Sequence, residues 1–300
     1  MAVSAFAPAK INLYLHVVGR RADGYHLLDS LVAFADIGDR VSGVPANGLS
    51  LTVGGAEAGG LGALGDDNLV MRAARLYAED AGAGRNPSPG AALFLEKLLP
   101  VSSGIGGGSS DAAAALRVLE RLWRHSLAPG ASSALALKLG ADIPACLAAR
   151  PVWVGGIGER IEPAEGLPPA GIVLANPRRP LPTASVFRAR RGPFTSGGRF
   201  APMPPDAAGL TAVLAARRND LTEAALTLVP EIGPVLDRLA QLPGALLARM
   251  SGSGATCFAL FADRAAALAA AAMLRRAEPS WWTAAGALSA AAPPVDESPT

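Results

Sequence analysis

Pro100-Val101-Ser102-Ser103-Gly104-Ile105-Gly106-Gly107-Gly108-Ser109-Ser110-Asp111 joins an apolar strand-like segment, 91–98, to a helix-like one, 109–123. Four glycines within five positions let the backbone touch a ligand and turn successive N–H groups towards it. The start of the following helix adds about half a positive charge and unpaired N–H donors. Ser109 and Ser110 add hydroxyls at the same point. A bound polyphosphate needs these features. The plainer alternative, a glycine turn ending in a serine cap, is disfavoured by the strand–loop–helix context. No Gly-Lys-Ser/Thr follows, so this is not a Walker A loop. A dinucleotide fingerprint would follow the first strand, with an acidic residue about 20 positions on. Here about a hundred residues come first, which argues against it.

Around this loop, strands are expected at 11–18, 27–35, 40–44, 50–53 and 91–98. Asp67 or Asn68 would cap a helix running to Tyr77. The helix at 109–123 places Ala113, Leu116, Leu119, Leu122 and Trp123 on one face. Helices follow at 131–139 and near Ile143. In the second half, periodicity predicts a strand at 171–176, helices at 221–228 and 232–242, and a hairpin over 246–261. An alanine-rich helix at 263–276 and a strand at 281–285 close it. The Pro- and Gly-rich stretch 192–209 reads as a mobile loop, and 293–300 as a disordered tail. A boundary between Pro151 and Pro169 gives domains at 1–160 and 161–300, with 292–300 as tail. The element order suggests two α+β layers.

At 300 residues the chain suits two domains. Half the residues are hydrophobic but only 5% are aromatic, so the cores must be built from Ala, Leu and Val. The 34 Gly and 25 Pro show no period, which excludes a collagen-like chain. A net charge of +2 with no run of five like charges points away from nucleic acid and from anionic membranes. Arg188-Ala189-Arg190-Arg191 reads as a solvated loop. Cys146 and Cys257 sit in apolar stretches and make no disulfide framework, so a reducing cytoplasm is expected. The longest apolar run, 265–274, falls short of the ~20 residues of a membrane span, and no basic signal-peptide start precedes the first apolar residues. Among 27 basic residues the only lysines are Lys10, Lys97 and Lys138. That scarcity draws attention to each.

Three further segments carry chemistry. Met250-Ser251-Gly252-Ser253-Gly254-Ala255 lies between two apolar strands and reads either as a hairpin turn or as a second wall for the same phosphates. In Ala7-Pro8-Ala9-Lys10-Ile11-Asn12-Leu13, Lys10 and Asn12 share one strand face, with Ile11 and Leu13 opposite. Leu139-Gly140-Ala141-Asp142-Ile143-Pro144 sets an aspartate at a helix–loop junction, where an N-cap is the ordinary local reading.

These segments, with Arg21-Ala22-Asp23-Gly24-Tyr25-His26, resemble the small-molecule kinase superfamily of galactokinase, homoserine kinase, mevalonate kinase and phosphomevalonate kinase. Within it they are most similar to the members that phosphorylate 4-diphosphocytidyl-2-C-methyl-D-erythritol in non-mevalonate isoprenoid biosynthesis. The glycine loops carry the superfamily. Asp23-Gly24-Tyr25-His26 with Lys10-Ile11-Asn12 carries the narrower match. The resemblance runs from about Ala7 to Ala285. It implies an α+β two-domain small-molecule kinase fold, with an N-terminal ribosomal-protein-S5-domain-2-like part and a C-terminal α/β two-layer part. The active site would lie in the cleft between them. It further implies ATP and Mg²⁺, a small-molecule substrate, and a monomer or homodimer.

The resemblance also implies roles. Asp142 would be the catalytic base and Lys10 its charge stabiliser. Pro100, Gly104, Ile105, Gly106, Gly107, Gly108, Ser109 and Ser110 would hold ATP, with Mg²⁺ near Ser109 or Ser110. Asn68 and Lys97 would lie by its purine and ribose. Tyr25 and His26 would take the cytosine, with Phe187 against it from the second domain. Asn12, Thr183, Gly252, Ser253 and Gly254 would complete the substrate side. One departure stands out: Val32 occupies a position where such members often carry a second aromatic, and strict alternation offers Phe34 as a substitute. His16 and His125 read as structural or solvent-exposed. The competing readings are a homoserine- or mevalonate-type kinase, a non-catalytic nucleotide sensor and, more distantly, a dinucleotide oxidoreductase.

Overall fold

The computed structural model describes residues 1–61, 68–82, 89–128 and 130–298. Its spine is a pair of long antiparallel strands, β1 (Ala2–Arg20) and β2 (His26–Ala46). Next come β3 (Leu49–Gly54), α1 (Leu69–Ala81), β4 (Gly90–Glu96) and α2 (Gly107–Trp123). Two short helices, α3 (Ala131–Leu139) and α4 (Ile143–Ala148), lead into the hairpin of β5 (Val152–Gly156) and β6 (Arg160–Pro163). The second half holds β7 (Gly171–Asn176), α5 (Thr183–Ala189), α6 (Ala207–Ala215), α7 (Thr222–Leu228) and α8 (Ile232–Ala240). It closes with β8 (Leu247–Met250), β9 (Cys257–Phe261), α9 (Arg264–Ala277), β10 (Trp282–Ser289) and β11 (Val295–Ser298).

The strands follow one path, β11-β1-β2-β10-β7-β9-β8, with β4 and β5 also paired to β2. One apolar cluster packs α1 and α2 on β1, β3 and β4. Another packs α7, α8 and α9 on β7 and β9. A third joins the halves, with Ile11 and Leu13 of β1 against Ile172 of β7 and Phe258 of β9. These cores are rich in Ala, Leu and Val, as composition requires. Among the described residues no helix is long and apolar enough to cross a membrane.

Four expectations need correcting. The strands expected at 27–35 and 40–44 are one strand, because Ala7 pairs with Asp39 and Pro8 with Gly38 through the apparent turn. Gly38 makes that possible, since a Cβ there would lie 2.2 Å from the Ala7 carbonyl oxygen. Of the tail expected to be disordered over 292–300, Val295–Ser298 forms β11, which pairs with residues 2–5 of β1, while 299–300 lie outside the described residues. The stretch 192–209 is tied down: Thr195 N–H donates to the Val17 carbonyl (2.9 Å), Phe200 packs edge-on against Trp153, and α6 begins within it. Short α5 was not foreseen. Asn68 caps α1, its Oδ1 accepting from Val70 N–H (2.8 Å), while its alternative Asp67 lies outside the described residues.

Arg249 staples the halves. Its buried guanidinium donates to the carbonyls of Leu13 (2.7 Å), Leu214 (2.9 Å) and Arg217 (2.7 Å). No carboxylate pairs with it among the described residues, and burial, then the charge of Arg217, pulls its pKa down to about 10. Arg249→Met leaves three carbonyls without their donor, each worth about 1–3 kcal/mol when buried. The variant is expected to unfold at a clearly lower urea midpoint with an unchanged slope.

Candidate active site

A cavity of about 1230 Å³ opens between the two halves, with the 100–111 loop along one side. The loop turns through left-handed glycines, Gly104 at φ +76° and Gly106 at φ +64°. Gly106 is also the N-cap of α2 and supplies no side-chain cap, so the amides of the first turn stay available. A Cβ at Gly106 would come within 3.0 Å of Lys10 Cβ and Cε, so the bare backbone lies against the lysine stem. Pro100, Gly104, Gly106, Gly107, Gly108 and Ser109 line the cavity. Two expected contributors do not bring their side chains there. Ile105 is buried in the joining core, and the Ser110 hydroxyl turns away to the Pro8 carbonyl (2.7 Å). An apolar residue and a helix-face serine beneath a loop serve packing, which residue type alone did not reveal.

Lys10 and Asn12 point into the cavity from β1, yet both are buried, so neither faces bulk water as an edge-strand residue would. Lys10 Nζ lies 3.1 Å from Asp142 Oδ1 and 3.2 Å from Asn12 Oδ1. Asn12 Nδ2 donates to Ser30 Oγ (2.8 Å), and Ser30 Oγ donates to the Tyr14 carbonyl (2.5 Å). This chain has one polarity: it leaves the Asn12 carbonyl oxygen to accept from Lys10 and fixes the ammonium towards Asp142. Asp142 occupies the N-cap position of α4 but makes no side-chain cap bond. Its carboxylate is 52% exposed and directed at Lys10. The N-cap reading therefore describes its place but not its use.

Lys97 and Asn68 also line the cavity, beside the loop. The ammonium of Lys97 turns inward, 2.5 Å from Asp39 Oδ2 and 2.8 Å from Asp111 Oδ2, with all three side chains almost wholly buried. Burial pulls the Lys97 pKa down, but Asp111 and Asp39 more than offset it and leave it raised. Burial pushes the Asp111 carboxyl up, opposed by Lys97 and assisted by Asp39. Asp39 was missed in the sequence because its partner lies 58 residues away.

At the other end, Tyr25 (61% exposed), His26 and Phe187 line the cavity, and the His26 ring stacks on Phe187 at 5.2 Å and 27°. The pairing crosses the two halves, β2 to α5. Burial, then the charges of Arg20 and Arg190, lowers the His26 pKa. The ring is thus neutral at pH 7, with one nitrogen donating and one accepting. Val32 lines the cavity floor, but Phe34 does not replace the missing aromatic. Phe34 lies fully buried in a cluster with Ala145 and Cys146 of α4, since β2 runs from the cavity to beneath that helix. Arg188, Arg190 and Arg191, read from sequence as a solvated loop, stand with Arg20 among the cavity-lining residues.

Thr183, Gly252 and Ser253 close the cavity, with Thr183 Oγ1 2.9 Å from Ser253 Oγ. Gly254 does not line it; its backbone underlies Gly104. His16 is buried, with Nδ1 3.0 Å from the Ser196 carbonyl oxygen, and His125 Nε2 lies 2.8 Å from Asp80. Neither belongs to the cavity.

Residues 68–150 match the model described as GHMP kinases N terminal domain, and 208–280 match GHMP kinases C terminal. A 4-diphosphocytidyl-2-C-methyl-D-erythritol kinase of Paramagnetospirillum magneticum is 54% identical over 265 residues, 88% of this chain and 90% of that one. That of Rhodospirillum rubrum is 52% identical over 261 residues, covering 87% and 84%. A crystal structure of 4-(cytidine 5'-diphospho)-2C-methyl-D-erythritol kinase superposes with TM-score 0.75 at 37% identity, covering 95% of this chain and 98% of that one.

Proposed function

The chain belongs to the 4-diphosphocytidyl-2-C-methyl-D-erythritol kinase family of the GHMP kinases and is an ATP-dependent phosphotransferase, and from that premise we propose that it phosphorylates the 2-hydroxyl of 4-diphosphocytidyl-2-C-methyl-D-erythritol, releasing ADP, in isoprenoid precursor biosynthesis. The observation that carries the mechanism is the uncapped Asp142 carboxylate, held 3.1 Å from Lys10 beside the glycine loop. In this reading residues 1–160 supply the base, the lysine and the phosphate loop. Residues 161–300 supply Phe187 and the wall formed by Gly252 and Ser253.

An alkanol hydroxyl, with a pKa near the ~15.7 of bulk water, is not ionised beforehand by a carboxylate. Asp142 therefore accepts the proton late, as the bond to phosphorus forms. Lys10, 3.1 Å from Asp142, orients its carboxylate and offsets charge on the transferring oxygens. The amides at the start of α2 and the glycine backbone cradle the phosphates. Ser109, a hard oxygen donor lining the cavity, fits Mg²⁺ carried in on ATP phosphates. When bound there, Mg²⁺ would offset the negative charge of the phosphates.

The cytosine enters between Tyr25, His26 and Phe187, displacing the contact that His26 and Phe187 make with each other. A base stacked on an aromatic ring gains about 1–3 kcal/mol. Phe187→Ala is thus expected to raise the KM of the cytidyl substrate about tenfold or more, with the KM of ATP unchanged. An ADP-release assay with the cytidyl substrate, mevalonate and homoserine as acceptors tests the whole reading. Turnover is expected with the first alone, and turnover with mevalonate or homoserine instead overturns it.

A further inference from the structure

Lys97 lines the cavity at the foot of the phosphate loop, yet its head group is engaged by two carboxylates, those of Asp39 and Asp111. We propose that the buried Asp39–Lys97–Asp111 cluster sets the span of that loop, with Lys97 a positioning residue that acts on ATP through the loop rather than by touching it. The proposal rests on reading the loop as the ATP phosphate site.

The loop cannot fix itself. Four of the five residues from Gly104 to Gly108 are glycines, and Gly104 and Gly106 hold left-handed conformations. Its geometry is set at its ends. On the entering side, Asp39 Oδ1 accepts from the backbone N–H groups of Leu98 (2.5 Å) and Leu99 (2.8 Å). Lys97 itself is tied to the end of β3, its N–H donating to the Gly54 carbonyl (2.7 Å). On the leaving side, Asp111 stands one turn into α2. One ammonium bridges the two sides, 2.5 Å from Asp39 and 2.8 Å from Asp111. The loop lies directly over it: a Cβ at Gly107 would come 3.0 Å from Lys97 Nζ.

Charge decides between positioning and direct phosphate binding. A lysine that binds phosphate needs its positive charge available to the ligand, whereas two buried carboxylates already face this one. The cluster therefore presents no net cation to ATP. Asp111 Oδ1 has no hydrogen-bond partner among the described residues, a cost in so dry a site unless the cluster is retained for another purpose. Holding the loop supplies that purpose.

Asp39 separates the two accounts, because it is fully buried and lies outside the cavity lining, where ATP cannot reach it. In Asp39→Asn the side-chain oxygen can still accept from Leu98 and Leu99, but an amide NH₂ then faces the ammonium and repels it. Steady-state kinetics should show the KM of ATP raised about tenfold to hundredfold by the displaced loop. The KM of the cytidyl substrate should stay within about twofold, a split that general destabilisation does not produce. Lys97→Met is expected to behave the same way. If Lys97→Met weakens ATP while Asp39→Asn leaves it unchanged, Lys97 touches ATP and the proposal is overturned.

Should Asp39→Asn fail to fold, Asp39→Glu keeps both charges and pushes the ammonium by one methylene towards Gly107. It should raise the KM of ATP in the same selective way, and an unchanged value overturns the proposal. Titration of the wild-type protein with ATP distinguishes the two levels of failure. No ATP binding removes the reading of the loop and this inference with it. Normal ATP binding with unaffected variants removes this inference alone.

Discussion

Asp142→Asn is expected to keep ATP affinity and to lose about 10²- to 10⁴-fold in kcat, the usual contribution of a positioned general base. The substitution preserves size and shape but removes the acceptor for the hydroxyl proton. Its cost to folding should be small. The Lys10–Asp142 pair is half open to solvent on the Asp142 side, and exposed ion pairs contribute about 0–1 kcal/mol. The α4 N-terminus loses no cap, since the carboxylate makes no cap bond. Loss of turnover therefore reports chemistry rather than collapse of the site. An ADP-release assay gives kcat, and nucleotide titration gives ATP affinity. If Asp142 only anchored Lys10, binding and turnover would fall together and modestly. Near-wild-type kcat would remove Asp142 from the role of base.

The polarity of the neighbouring hydrogen bonds sharpens this expectation. Ser30 must donate to the Tyr14 carbonyl, so its oxygen accepts from Asn12, and the Asn12 carbonyl is left for Lys10. Lys10 thus reaches Asp142 with an orientation set by β1 and β2, the most extensively paired strands of the fold. A base held by a preorganised cation needs no rearrangement as the proton arrives.

The parts of this site that were legible in the sequence share one property: their signal is local. Glycines 104 and 106–108 between an apolar strand and an amphipathic helix read as a phosphate loop within twelve residues, and the structure sets that loop along the cavity. Lys10 stood out through scarcity, and Asn12 through its place on the same strand face. Asp142 was ambiguous, because an aspartate before Ile143-Pro144 satisfies the pattern of an N-cap whether or not its carboxylate caps. In the structure its carboxylate faces Lys10 and makes no cap bond, which supports the proposed role of base without an N-cap role beside it.

What was not legible depends on pairing across long separations. Asp36 to Asp39 has the composition of a turn, but the ladder with β1 carries β2 straight through it. The same ladder buries Asp39 where it meets Lys97. Val295–Ser298 has little strand propensity and becomes a strand by pairing with residues 2–5. Phe34 does share a face and a buried cluster with Val32, as alternation requires, but Ala145 and Cys146 of α4 cover that face at Phe34, so its ring does not line the cavity. Arg188 and Arg191 are exposed, as their charge suggests, but the chain at the C-terminal end of α5 also sets them, with Arg190, along the cavity, which sequence alone did not show.

Gly104→Ala is expected to be strongly damaging, because two glycine loops meet there backbone to backbone. A Cβ at Gly104 would lie 2.5 Å from the Gly254 carbonyl oxygen, 2.6 Å from Gly254 N and 2.7 Å from the Ser251 carbonyl oxygen. None of these atoms belongs to a flexible side chain that could swing aside. The contact is reciprocal, since a Cβ at Gly252 would lie 2.5 Å from the Gly104 carbonyl oxygen. Thr256 N–H donating to the Ser103 carbonyl (3.0 Å) and Ser251 Oγ donating to the Gly104 carbonyl (3.3 Å) hold the loops at this distance. Alanine must also adopt φ +76°, at a cost of about 1–2 kcal/mol, before any separation of the loops is counted. Overpacking adds about 1–3 kcal/mol. The urea midpoint should therefore fall markedly, and ATP affinity should weaken at least about tenfold as the cradle is pushed off its second wall. Gly48→Ala serves as the control: no heavy atom lies within 4 Å of its Cβ position, and it should stay within about 0.5 kcal/mol of wild type. A Gly104→Ala protein with wild-type midpoint and ATP affinity would show that the two loops do not close on each other, and the shared phosphate site built from both halves would have to be abandoned.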